Sequence, residues 1–245
     1  LLRSGIALEQ AIAEARRVEP LGVRSMPLDA DGVVALEPAL AGIREKLAGG
    51  VHFPDDESGD ACRFVRALGR AAAERGARLR LGETVERIER DVAGIQRVIT
   101  DRESLTADRY VVAAGVDAPR LLRPLGLRLP IEPVKGYSAT IPVDDGADVP
   151  RVPVIDEAHQ VVATRLGDRL RVAGTAEFAG FDRGIRPRRV GIVARQALSN
   201  FPELAARIDP ASAEPWACLR PITVDGSPIL GDSGIRGLYL NTGPG

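Results

Sequence analysis

The chain has 245 residues, 44% of them apolar and 27% charged, and its 33 basic side chains nearly cancel its 34 acidic ones, leaving a net charge of -1. That length supports one large or two modest domains with real cores. The charge balance excludes a global field that would draw the chain to nucleic acid or to an anionic membrane, and no apolar run approaches the about 20 residues needed to cross a bilayer.

The first residues, "LLRSGIALEQ", carry neither an initiator methionine nor a signal-peptide layout, so the expectation is of a chain entered in its middle. Leu8, Ala11, Ile12 and Ala15 recur at helical spacing, and Pro38 in "LEPAL" marks a second helix start. "DESGD" offers cap chemistry at Ser58 to Asp60, ahead of an apolar stripe of Ala61, Phe64, Val65, Leu68 and Ala72 that Gly76 stops. "ARLRLGETVERIERD" and "QRVIT" then alternate as a hairpin does, and "YVVAA" is apolar enough to be expected inside a parallel sheet. From Pro130 the texture is β-rich, with Gly167-Asp168 as a two-residue hairpin turn. Val190, Val193, Ala194, Ala197, Leu198 and Phe201 give the cleanest helix of the chain. The basic run "RGIRPRRV" just before it reads as a solvated face. The fold class is therefore α/β (α+β overall), with an α/β lobe and an antiparallel-sheet lobe interleaved along the chain.

Cys62 and Cys218 have no CxxC or Cys/His spacing and are expected to be buried small apolar residues without a disulfide. His52 and His159 stand alone, so no metal site is expected, and a reducing, cytoplasmic setting fits.

Four stretches can carry chemistry. A strand ending at Ala113-Ala114-Gly115 lets a large flat ligand approach the backbone, or it is simply a tight strand-to-helix turn. Arg220 in "LRPITVDGSPILG" can grip a carboxylate through two parallel hydrogen bonds, or pair with a neighbouring Asp or Glu. Tyr137 in "PVKGYSATIPV" can roof a small pocket beside a bend at Gly136, or sit half-buried on a bulge. "LYLNTGPG" can present backbone N–H groups to an anion. No Ser/His/Asp or Cys/His arrangement stands out, so an enzyme built this way leans on a cofactor.

Together "DESGD", "RYVVAAG", "IEPVKGYSATIP", "VVATRLGDRLRVAGTAEFAGFD", "LRPITVDGSPILG" and "LYLNTG" closely resemble the FAD-dependent D-amino-acid dehydrogenases of the D-amino-acid and glycine oxidase group, in order and over nearly the whole chain. The resemblance implies a partial FAD-binding Rossmann-like domain interleaved with an antiparallel-sheet substrate domain. It implies residues 1–50 as a helical part of the substrate domain, 51–125 as partial FAD domain, 126–215 as β-rich substrate domain and 216–245 as a return to the FAD domain. It implies that Val85 meets the adenine end of FAD, that Ala113, Ala114 and Gly115 pass close to the cofactor, and that Thr242 and Gly243 lie near the flavin ring. Arg220 holds the substrate carboxylate in this reading, and Tyr137 encloses the amino acid.

The implied reaction is oxidative deamination of a D-amino acid to a 2-oxo acid and ammonia, with a quinone or dye-like electron acceptor. Peripheral contact with the inner face of the cell membrane is allowed. The family's GxGxxG, which holds the pyrophosphate at a helix N-terminus, is not among these residues, and Pro244 stands where the family has histidine. The expectation is a dehydrogenase fragment, inactive alone and poor at binding FAD. Alternatives are a glycine or sarcosine-type oxidase, the flavin domain of a tRNA-modifying enzyme, or a non-enzymatic binding remnant.

Overall fold

The computed structural model describes residues 1–146, 148–209 and 212–244; Gly245, the last residue of "NTGPG", lies outside the described residues. In chain order come helix α1 (Gly5–Val18), strand β1 (Met26–Leu28), helix α2 (Ala30–Leu36), a 3-10 stretch (Pro38–Lys46), β2 (Gly50–His52) and α3 (Ala61–Glu74). Strands β3 (Val85–Asp91), β4 (Gly94–Thr100), β5 (Ser104–Leu105) and β6 (Tyr110–Val112) lead into the short helix α4 (Ala118–Leu122) and the long strand β7 (Ile131–Pro142). Then follow β8 (Val154–Asp156), β9 (Val161–Arg165), β10 (Arg169–Glu177), helices α5 (Pro187–Leu198) and α6 (Pro202–Arg207), and strands β11 (Glu214–Thr223), β12 (Ile229–Asp232) and β13 (Leu238–Thr242).

The chain forms two compact units: unit 1 is Leu1–Phe64, Gly136–Ala176 and Gly184–Ala217, and unit 2 is Val65–Lys135, Glu177–Arg183 and Cys218–Gly245. Helix α3 and strands β7, β10 and β11 each run unbroken through one of these borders.

Unit 1 is built on a sheet of order β11-β7-β10-β9-β8. The β9–β10 hairpin turns on Gly167-Asp168, where Gly167 has φ +70° and Leu166 N–H donates to Arg169 O at 2.7 Å. Period-2 alternation sends Tyr137, Ala139 and Ile141 of β7 and Leu170 and Val172 of β10 to one side, where Val190, Val193 and Ala197 of α5 close the core. Glu37, 1% exposed, accepts backbone N–H groups from Ala39 (3.2 Å), Arg151 (2.6 Å) and Val152 (2.9 Å), fixing the start of the 3-10 stretch against the 151–152 loop.

Unit 2 holds a sheet of order β12-β13-β6 and the meander β3-β4-β5. β6 runs parallel to β13 with Tyr110 opposite Leu238 and Val112 opposite Leu240, while β12 is antiparallel to β13. Its core gathers Ile88, Val112, Leu121, Leu122, Leu125, Leu238 and Leu240.

Three sequence expectations need correction. The "YVVAA" strand pairs in parallel, but among the described residues it is an edge strand, and Val111 is 63% exposed. Helix α3 forms where its periodicity predicts and Asp60 caps it, its Oδ1 accepting from Arg63 N–H at 3.0 Å, yet Phe64 and Leu68 remain 67% and 56% exposed. Both cysteines are exposed rather than buried: Cys62 lies in the first turn of that uncovered helix, and Cys218 is on β11 one residue before the buried Leu219.

Candidate functional site

The site residues of unit 2 come together at the carboxyl ends of the parallel strands β6 and β13. Thr242, 1% exposed, donates its hydroxyl to Gly115 O at 3.2 Å, tying the two strand ends. Gly243 follows at φ +84°, and a Cβ built there would meet Thr223 Cγ2 at 2.8 Å, so only glycine lets this turn pass Thr223. Gly115 is also left-handed, at φ +53°, and a Cβ on it would lie 3.8 Å from the ring of Pro221. The turn after β6 and the Arg220-Pro221 stretch of β11 are thus neighbours. Ala113 is exposed and Ala114 half-buried, so nothing larger than a methyl group stands on the strand end. Residues of this kind fit a flat group lying against the backbone. They do not supply the pyrophosphate cradle of a dinucleotide, since no GxGxxG occurs among the 245 residues.

Arg220 is exposed on β11, and among the described residues its guanidinium makes no ion pair. The ordinary alternative for an arginine, a neighbouring Asp or Glu, is therefore not what holds it. The turn beyond it is pinned: Thr223 donates its hydroxyl to Ser227 O at 2.8 Å, Gly226 N–H donates to Thr223 O at 3.2 Å, and Asp225 Oδ1 accepts Ser227 N–H at 3.1 Å. The Ser227 N–H is the main reason the Asp225 carboxyl lies below its usual range. A cationic fork on a fixed strand with no internal partner can receive an outside carboxylate.

Val85 begins β3 and is half-buried against the unit 2 core, the same core that Ala114 packs against. Tyr137 is 1% exposed within the unit 1 core. On the other side of β7 from Tyr137 lie Ser138 and Thr140, 2% and 8% exposed. Two features had no sequence signal. Lys135 is fully buried, its Nζ 2.8 Å from Asp182 Oδ2 within unit 2. Thr175, in the "AGTAEF" stretch, sits at φ +67°, a conformation β-branched residues avoid at a cost of about 1–3 kcal/mol. Among the described residues no group of His, Cys, Asp and Glu could hold a metal.

A family described as FAD dependent oxidoreductase, DAO, matches residues 3–245. The chain belongs to that family. The D-amino acid dehydrogenase of Paramagnetospirillum magneticum is 45% identical over 243 residues, covering 99% of this chain and 57% of that protein. The D-amino acid dehydrogenase of a Methylobacterium sp. is 44% identical over 246 residues, covering 100% of this chain and 58% of that protein. The chain thus spans a little over half the length of these oxidoreductase relatives. Among solved structures, glycine oxidase from Geobacillus kaustophilus superposes with a TM-score of 0.89 at 26% identity, over 100% of this chain and 64% of its own. L-proline dehydrogenase from P. horikoshii shares the fold at TM-score 0.87 and 18% identity, over 100% of this chain and 65% of its own. The mixed helix-and-sheet architecture of an FAD-dependent oxidoreductase domain is therefore this family's own, and nothing in these likenesses supports a non-enzymatic remnant.

Proposed function

We propose that this chain is the substrate-clamping portion of an FAD-dependent D-amino-acid dehydrogenase. The observation that carries the proposal is Arg220: an exposed guanidinium with no ion pair among the described residues, on the strand whose next residue, Pro221, neighbours the side-chain-poor turn at Gly115. In this reading Ala113, Ala114, Gly115, Thr242 and Gly243 hold the flavin end of FAD, and Val85 serves its adenine end. When bound, FAD supplies the acceptor for the two electrons that leave the substrate's Cα–H. Arg220 binds the substrate carboxylate through two charge-assisted hydrogen bonds, removing rotational freedom so that the Cα–H keeps one direction. The Thr242–Gly115 bond keeps the two strand ends in register while the substrate is held. The imino acid formed is hydrolysed by water to a 2-oxo acid and ammonia.

The electron acceptor is proposed to be a quinone or a dye-like substitute rather than oxygen, on the strength of the dehydrogenase relatives' name. The glycine oxidase likeness keeps an oxidase as the competing reading, and peroxide release separates the two. No helix among the described residues is long and apolar enough to cross a membrane. The cysteine usage favours a cytoplasmic setting, and the family resemblance allows peripheral contact with the inner membrane face.

Arg220→Leu, made in the protein that carries this chain, should lower kcat/KM for D-alanine-dependent dye reduction by about a hundredfold or more, the equivalent of about 3 kcal/mol of lost charged hydrogen bonding. Arg220→Lys should recover part of the loss, since an ammonium keeps the charge but not the fork. Turnover unchanged in Arg220→Leu overturns the clamp.

A further inference from the structure

Unit 1 carries a cationic site that the flavin reading does not use. Alternation along β10 buries Leu170 and Val172 in the core and places Arg169 and Arg171 on the sheet's other side. Arg169 is compensated, with Asp60 Oδ2 3.0 Å from its Nη2. Arg171 is not: among the described residues no carboxylate pairs with it. Its Nη2 donates to Ser138 Oγ at 2.9 Å, and its guanidinium carbon stands 5.1 Å from the centre of the Trp216 ring. Thr164 is its direct partner across the β9–β10 pair.

The anchoring serine is only 2% exposed, whereas Trp216 is 49% exposed. Arg171 itself is half-buried, fixed from the inside by the serine and flanked by an indole that is open to solvent. Stacking on an indole and one hydrogen bond to a buried hydroxyl already remove most of the side chain's rotamer freedom, so an incoming anion loses little more in ordering it. Ser138 takes one of the two Nη2 hydrogens; the other, with the N–H of Nε or Nη1 on its own edge, leaves one flat two-donor edge for the anion, the geometry a carboxylate matches. A doubly charged phosphate is matched less well, because Arg169, two residues away on the same side of β10, is already paired with Asp60.

We propose that Arg171, Ser138 and Trp216 form a binding site for the carboxylate of a small organic acid. The inference goes beyond the flavin reading. It concerns unit 1 alone and needs no flavin, so its failure leaves Arg220 untouched, and failure of the Arg220 clamp leaves this site standing.

Trp216 is the only tryptophan, so intrinsic fluorescence reports directly on the site. Titration of the 245-residue chain with succinate, at ionic strength held constant with sodium chloride, should give a saturable change with a midpoint on the order of millimolar. Arg171→Leu should abolish the saturable component, and Arg171→Lys should weaken it about tenfold by removing the planar fork. Ser138→Ala should weaken it a few-fold while leaving the charge in place. The proposal is overturned if the parent responds to succinate no more than to chloride, or if phosphate binds more tightly than succinate. An Arg171→Lys midpoint equal to the parent's also overturns it, and that variant keeps the test decisive should Arg171→Leu fail to fold.

Discussion

Asp156 shows how a buried charge in this protein is stabilised by its neighbours. It has no exposed surface, and burial alone would raise its pKa. Hydrogen bonding overrides that effect: Arg3 Nη2 approaches Oδ2 at 2.8 Å, His159 Nδ1 lies 2.7 Å from the same oxygen, and Ala158 N–H donates to Oδ1 at 3.1 Å. The carboxyl is held well below the usual carboxylate range as a result. A carboxyl whose folded pKa is depressed contributes stability above its unfolded value of about 3.9, and that contribution is lost as pH falls towards the folded value. Asp156→Asn should therefore destabilise the chain at pH 7 by about 3 kcal/mol, because Arg3 loses its carboxylate and keeps only Asn200 Oδ1 at 2.7 Å. The same variant should show a shallower fall in stability below about pH 4 than the parent. Urea denaturation at pH 7 and at steps down to pH 3 measures both, and parallel acid limbs in the two proteins would refute the account.

At the scale of elements, α3 has an apolar stripe without a cover. Phe64, Val65 and Leu68 are 67%, 63% and 56% exposed, so they contribute little burial energy in this chain. Phe64→Ser combined with Leu68→Ser should change the unfolding free energy by less than about 1 kcal/mol while lowering binding of an apolar fluorescent dye. A loss above about 2 kcal/mol would mean that the stripe is packed. This helix also marks how far the sequence can be read. Its existence, and that of α1, α5 and the β9–β10 hairpin, was legible because period 3.6 and turn chemistry are local properties of the chain. What covers a face is not local. "YVVAA" announced a parallel strand but not its place at a sheet edge, which depends on which partners lie alongside it. Tyr137 was legible as a buried-capable aromatic, but the side of β7 it faces turns on single-residue parity, and the structure sends Ser138, not Tyr137, to the side of Arg171. Arg220 drew notice through a motif. Arg171 had none, because its meaning comes from residues 33 positions earlier on β7 and from Trp216 on β11.

The whole molecule carries two cores. One, containing Leu170, Val172 and Phe201, lies entirely within unit 1, and the other, containing Leu122, Leu238 and Leu240, lies entirely within unit 2. Helix α3 and strands β7, β10 and β11 each run on from one unit into the other. Cooperative unfolding requires that loss of one core remove support from the other, and each core here is built from residues of its own unit. The cores should therefore melt in separable steps. Trp216 belongs to unit 1 and its fluorescence reports on its own surroundings, whereas far-UV circular dichroism sees both units. Leu238→Ala removes a fully buried side chain from the unit 2 core, at a cost of about 3 kcal/mol. It should shift part of the circular dichroism transition in urea to lower concentration and leave the Trp216 midpoint in place. Val172→Ala, in the unit 1 core, should move the Trp216 midpoint instead. If both probes shift together in both variants, the shared strands transmit the loss in full and the two units unfold as one.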